Sequence, residues 1–323
     1  MRIVFFGSGE FGVPTLEALC EGHDVVLVVT QPDRPAGRNR KLTATPIGAW
    51  AEGRDLPVLK PEKVNAPEIL AAVREAEADA NVVVAFGQKI GQALIESPKL
   101  GAAATVNLHA SLLPKYRGAA PIQHCLMQSD HVSGNTVFSL VEKMDAGAIL
   151  GTQRTPIDPM ETAGELHDRL SWMGPKLVLQ VLDDLETGVA KGVQQDESEA
   201  TLAPKLSKSD GWVDLAGKAD VVRWRVNGLT PWPGVALRWV EGAKLAGQTF
   251  RICKVATLGF KKHDLPIGHV DERGMVATGQ GLVRLMEVQP PGKRPMSWEE
   301  YVRGRKPDVG DRVESAVPVQ TDL

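Results

Sequence analysis

Three cysteines in 323 residues, Cys20, Cys125 and Cys253, leave little material for a disulfide framework or a structural zinc site. They lie far apart with no paired ligand spacing, which suits a reducing compartment, so no metal is expected and all three thiols are expected to be buried or inert. No apolar run approaches membrane-spanning length. The opening Met1-Arg2-Ile3-Val4-Phe5-Phe6 reaches Gly7 too soon for a signal peptide, so a cytoplasmic protein with no membrane partner is expected. An excess of one charge is missing too. The net charge is −3, with 17 Lys and Arg against 14 Asp and Glu from Ser209 onward and 20 against 26 before it, an imbalance too mild to name a nucleic-acid partner. No internal repeat is present.

What the chain does contain is enough for two domains, because 323 residues exceed one ordinary core and 43% hydrophobic with 24% charged residues is a globular balance. Residues 3–6, 25–29 and 82–85 are uninterrupted apolar runs, and 103–108 is a fourth, broken only by Thr105 and Asn107. Between and after them, 13–19, 66–78 and 162–185 carry helical spacing, the last closed by Thr187-Gly188. Runs without alternation suit parallel strands buried on both faces. Their order predicts an α/β fold with a doubly wound, mostly parallel sheet, whose ligands collect beyond the carboxyl ends of the strands. From Val189 to Ser207 the composition turns polar and reads as a linker. Beyond it come a short helix over 219–227 and strands over 235–240, 249–255, 274–277 and 282–287 between Gly-containing turns, which predict a small β-barrel. The tail after Pro307 is expected to be poorly ordered.

Gly7-Ser8-Gly9-Glu10-Phe11-Gly12 matches the dinucleotide fingerprint between a strand and a helix. That motif also needs an acidic residue closing the second strand, and Asp33 is the one nearby. A tight turn needs glycine for conformational reasons alone, so NAD binding is the weaker reading. Residues 31–41 set Arg34, Arg38, Arg40 and Lys41 against Asp33 alone. This basic, Pro- and Gly-rich loop is as compatible with a solvated surface as with phosphate contacts.

The most informative stretch is Val106 to Gly118. In a strand, residues two apart share a face, so Asn107 and His109 point together. A carboxamide that donates to a developing oxyanion beside an imidazole that moves a proton suits acyl transfer. Asp145, in a Gly-containing turn after the strand-like 136–141, is the candidate carboxylate. A lone histidine at a strand end is more often structural, and Ser111 to Pro114 taken alone reads as a turn.

Read as a whole, Asn107-x-His109-x-Ser111-Leu112-Leu113-Pro114, followed by Arg117-Gly118-Ala119-Ala120-Pro121-Ile122 and Asp145, resembles the signature of the folate-dependent formyltransferases. Thr30 to Arg38, with Pro231-Trp232-Pro233 and Gln289-Pro290-Pro291-Gly292-Lys293, is similar to the branch that formylates methionyl-tRNA. The likeness runs from Ile3 to about Arg305. Where members of that family often carry Thr-Pro, this chain has Ser8-Gly9, which puts the local contacts of that turn in doubt.

The resemblance implies a Rossmann-like catalytic domain over 1–188, a linker over 189–208 and an OB-type β-barrel over 209–323 that binds tRNA. It implies transfer of the formyl group of 10-formyltetrahydrofolate, as cosubstrate, to the α-amino group of initiator methionyl-tRNA, by a monomer. Asn107 and His109 would stabilise the oxyanion, and Asp145 would accept or relay the amine proton. Ser111, Leu112, Leu113 and Pro114 would form the folate-binding turn, with Phe86 and Gly87 bordering the pterin, although Phe86 is equally ordinary core. Arg38, Arg40 and Lys41 would grip the acceptor end, and Arg223, Arg225, Lys254, Lys261 and Lys262 the acceptor stem. Arg117 would meet phosphate or the folate glutamate. Trp232 fits an interdomain packing anchor better than a base-stacking platform. The rivals are formyl transfer to a sugar nucleotide, hydrolysis of formylfolate, and a non-catalytic dinucleotide-sensing or RNA-binding module.

Overall fold

The computed structural model describes residues 1–37, 40–240, 243–257, 262–271, 273–308 and 310–317. Down the chain run β1 (Arg2–Gly7), β2 (Asp24–Val29), β3 (Arg34–Ala36), β4 (Lys41–Thr43), β5 (Val58–Leu59), β6 (Ala80–Val84), β7 (Thr105–His109), β8 (Arg117–Gly118), β9 (Val132–Ser139), β10 (Ile149–Pro156) and β11 (Leu202–Ala203). There follow β12 (Val235–Trp239), β13 (Thr249–Thr257), β14 (Met275–Ala277), β15 (Leu282–Gln289), β16 (Met296–Ser297) and β17 (Val313–Ser315). Two compact units result, one of residues 1–118, 133–155 and 167–203, the other of residues 119–132, 156–166 and 204–323.

The first unit is built on a seven-stranded sheet in the order β10-β9-β7-β6-β1-β2-β5. β5, β2, β1, β6 and β7 are parallel, and β9 runs antiparallel to β7. From β1 the chain winds outward through β2 and β5, then crosses to β6 on the other side. Ligands of doubly wound sheets gather where the winding reverses, beyond the carboxyl ends of the strands. The runs read as buried strands are just that, with Ile3 to Phe6 and Val82 to Val84 almost wholly out of solvent. One face packs Val4, Phe6, Leu27, Val29 and Val83 against Ile69 and Val73 of the helix Pro67–Glu75. The other is covered in part by the helix Ala163–Glu186. A Cβ on Gly174 of that helix would lie 2.6 Å from Leu108 Cδ2, so glycine is what lets helix and strand approach this closely.

The second unit holds an antiparallel half-barrel in the order β14-β15-β13-β12-β17, with β16 on β15. Its core centres on aromatic rings. Trp298 stacks on Tyr301 at 5.3 Å between centroids, Phe250 sits 5.2 Å from Tyr301, and Trp239 Nε1 donates to the Tyr301 hydroxyl at 3.1 Å. The helix Ala219–Gly228 buries Val222 and Val226 in the same cluster. The expected disorder after Pro307 is corrected for residues 313–315, while residues 318–323 lie outside the described ones. Val313 is buried and pairs with Trp239, so residues 313–315 form a strand of the sheet.

Candidate active site

Asn107 and His109 leave β7 on the face opposite Leu108, the face shared with Val83, which is Asn107's partner in register. Asn107 is half-buried, and its carboxamide makes no hydrogen bond among the described residues. The His109 ring is 7% exposed, edge-on to Phe138 at 6.5 Å. His109 Nε2 lies 2.9 Å from the Tyr116 carbonyl oxygen. A carbonyl only accepts, so Nε2 carries a hydrogen and Nδ1 is the edge left for proton chemistry. The turn after β9 folds back so that Asp145 Oδ2 stands 3.9 Å from Nδ1, an ion-pair distance beyond hydrogen-bond range. The structure therefore brings His109 and Asp145 together, with Asn107 two residues from His109 on one strand face.

The Asp145 turn is held by residues whose part in it the sequence did not give. Asp145 Oδ2 accepts from Gly118 N at 2.8 Å. Gln195 Nε2 donates to the carbonyls of Asp145 and Gly147, each at 2.8 Å, while its Oε1 accepts from Arg117 Nε and Nη2 at 3.1 and 2.7 Å. Glu197 accepts from Arg117 Nη1 and Nη2 and from Lys143 Nζ at 2.7 Å. Those bonds from Arg117 and then Lys143 hold the Glu197 carboxyl down at about 2. Arg117 is 4% exposed and four of its five N–H groups bond Gln195 and Glu197, which argues against both sequence-based readings of it as a phosphate or folate-glutamate contact. The polarity of 195–197 that reads as a linker is the polarity of these bonds.

Ser111 is a turn residue, as expected, its Oγ donating to Lys115 O at 2.7 Å. Leu113 N donates to Thr136 Oγ1 at 3.1 Å, and the Leu113–Pro114 peptide is cis. Leu113 is buried, while Leu112 and Pro114 are half-buried. Of the two readings left open for Phe86, its ring follows the core one, buried and edge-on to Phe6 at 5.7 Å. Its carbonyl accepts from Ser8 Oγ and Gln31 Nε2. Gly87 beside it is exposed, with φ +82°.

The glycines of the dinucleotide-like turn answer to packing. A Cβ at Gly7 would meet the Phe5 ring at 2.5 Å, and one at Gly12 would meet Val84 Cβ at 3.3 Å. Asp33, the candidate ribose ligand, is ion-paired with Lys60 at 2.8 Å. The basic loop is partly a hairpin of β3 and β4, with Arg34 paired to Glu62. Arg40 and Lys41 are exposed and, among the described residues, in no ion pair; Arg38 lies outside the described residues.

In the second unit, Arg223 is buried, donates to the Pro159 carbonyl and stacks over Trp224. Arg225 lies 3.4 Å above Trp212 and donates to the carbonyls of Trp212 and Asp210; burial lowers its pKa to about 10. Both were expected on a tRNA-facing surface, and both instead bond their own chain. Lys254 pairs with Glu165 at 2.6 Å, Lys262 is exposed, and Lys261 lies outside the described residues. Trp232 is 46% exposed, flanked by prolines whose carbonyls both accept from Arg251.

The formyl transferase family pattern matches residues 1–182 of the chain, and that of the formyl transferase C-terminal domain matches 205–306. The methionyl-tRNA formyltransferase of Geobacter metallireducens is 39% identical over 97% of this chain and 98% of its own length. This chain belongs to the methionyl-tRNA formyltransferase family. The same-named protein of Geobacter sulfurreducens is 39% identical over 99% of both chains, so family members match from end to end. Among solved structures, an N-formyltransferase from Helicobacter canadensis, in complex with folinic acid and dTDP-3-aminofucose, superposes with a TM-score of 0.64 over 90% of this chain and 98% of its own. At 14% identity that likeness speaks to the formyltransferase fold alone. Among the described residues no cluster of potential metal ligands occurs, and no helix is long and apolar enough to cross a membrane.

Proposed function

We propose that this chain transfers the formyl group from N10 of 10-formyltetrahydrofolate to the α-amino group of initiator methionyl-tRNA. The observation that carries the reading is an uncommitted carboxamide, Asn107, beside an imidazole whose free edge faces a carboxylate. The neutral amine attacks the formyl carbon, and negative charge gathers on the formyl oxygen. Asn107 donates to that oxygen, strengthening as the charge develops. The attacking nitrogen must lose a proton and N10 must gain one as its bond to carbon breaks. His109 Nδ1, the edge not tied to Tyr116, takes the first proton and returns it to N10. Asp145, at 3.9 Å, offsets the positive charge on the imidazole while the proton is there. Ser111 is bonded to Lys115 and is no nucleophile, so the formyl group passes directly between nitrogens.

The folate lies, in this reading, against the strand-end segments around Gly87 and Ser111 to Pro114, which supply backbone groups for a flat amide-like ring. Arg38, Arg40 and Lys41 meet phosphates of the acceptor end. Residues 1–188 carry the chemistry, 189–208 connect while lending Gln195 and Glu197 to the Asp145 turn, and 209–323 add tRNA contacts. The protein works in the cytoplasm as a monomer, for which sedimentation should give the chain mass of 34.8 kDa. Incubation with formyl-labelled 10-formyltetrahydrofolate and charged initiator tRNA is expected to put the label on the methionine. Release of the label as formate, with no acylated tRNA, would instead identify a formylfolate hydrolase.

A further inference from the structure

Asp145 sits on a strained stretch of backbone, which the turn's own bonds from Ala146 N to Lys143 O and from Ser139 N to Ala148 O close. Its φ is +48°, a left-handed conformation that costs energy for a residue with a side chain. Two residues on, a Cβ at Gly147 would lie 1.7 Å from the Ser139 carbonyl oxygen, so the turn passes through a gap fit only for glycine. Such a backbone persists where its surroundings over-determine it. Gly118 N holds the Asp145 carboxylate itself, and the backbone of the turn is held through Gln195. Arginine only donates, so Gln195 must aim Oε1 at Arg117, and both Nε2 hydrogens are then left for the carbonyls of Asp145 and Gly147. Every hydrogen-bonding position of that carboxamide is filled. Behind it, Glu197 takes the far edge of Arg117 and also Lys143, two residues before Asp145. The turn is gripped at 143, 145 and 147.

We propose that Gln195, backed by Arg117 and Glu197, is a positioning residue that fixes the Asp145 carboxylate at its station beside His109 Nδ1. The latch acts on the geometry of the proton-handling pair and touches neither substrate. It rests on the catalytic reading of Asp145 given above. A displacement of about 1 Å at a reacting group can cost on the order of a hundredfold in rate, so removing the latch should be read in kcat and not in KM.

The test compares wild type, Gln195→Met, Asp145→Asn and the double variant in the formylation assay. Methionine keeps the length of glutamine and removes all four hydrogen bonds; asparagine tolerates the left-handed backbone at 145. The expected result is a kcat at least tenfold lower for Gln195→Met, with KM for both substrates within threefold of wild type. In the Asp145→Asn background the same change should cost less than twofold, because the group it positions is gone. A merely structural role would cost the same in both backgrounds and would overturn the proposal. Full activity of Asp145→Asn contradicts the catalytic reading and the latch with it, whereas a crippled Asp145→Asn beside a fully active Gln195→Met contradicts the latch alone. Should Gln195→Met fail to fold, as a melting curve would show, Glu197→Gln takes its place, its target carboxylate being 54% exposed. A three- to tenfold lower kcat at unchanged KM is expected there, and unchanged kcat would overturn the proposal.

Discussion

Asn107 has its carboxamide uncommitted among the described residues. Asn81, on the neighbouring strand, shows the contrast, its Nδ2 donating to Leu94 O, Ser97 Oγ and Thr105 Oγ1 in a structural role. A half-buried amide without a partner is available to a charge that appears only during reaction. Asn107→Ala should therefore lower kcat by about 10²–10³, the usual scale for one oxyanion donor, with little change in KM for folate or tRNA. Steady-state kinetics checks this, and a loss confined to KM would assign Asn107 to ground-state binding. The Asn107–His109 pair was legible because a strand's two-residue period places both on one face whatever the tertiary structure. Arg117 and Gln195 were not, because their meaning lies in partners 78 residues apart. Arg117 looks like any basic residue near a site until Gln195 and Glu197 close on it.

Among elements, the buried parallel strands and the long helices follow directly from apolar runs and helical spacing, and they occur where that patterning puts them. The elements that escaped were short or half-exposed. β10, with the sequence ILGTQRTP, has polar residues at four of its eight positions, and β3 and β4 are three residues each and exposed along their length. β17 gains its identity from pairing with β12, which no local pattern announces. The β3–β4 hairpin also carries a functional expectation. Arg34 is neutralised by Glu62, whereas Arg40 and Lys41 stand exposed at and after the tip. Phosphate contacts depend on charge and weaken with salt. Reversing both charges, Arg40→Glu with Lys41→Glu, should raise KM for tRNA at least tenfold while leaving KM for the folate within twofold. Equal effects on both would place the hairpin's influence in the folate site.

Across the whole molecule, the Arg117–Glu197 contact gives stability a pH dependence of definite sign. The carboxyl titrates at about 2 when folded, against 4.5 as the ordinary value. A depressed carboxyl contributes fully above its unfolded value, and that contribution is lost as pH falls from 4.5 toward about 2. The difference in Tm between wild type and Glu197→Gln should thus hold steady from about pH 7 to about pH 5 and close below it. A difference unchanged near pH 2, or none at neutral pH, would contradict the assignment. End-to-end likeness to the Geobacter proteins makes the chain an enzyme of the methionyl-tRNA formyltransferase family. The most direct measurement is the rate of formyl transfer to charged initiator tRNA, both substrates saturating, for wild type and His109→Ala. The account predicts a fall of about 10²–10⁴ with the melting temperature nearly unchanged; a His109→Ala rate within tenfold of wild type would contradict it.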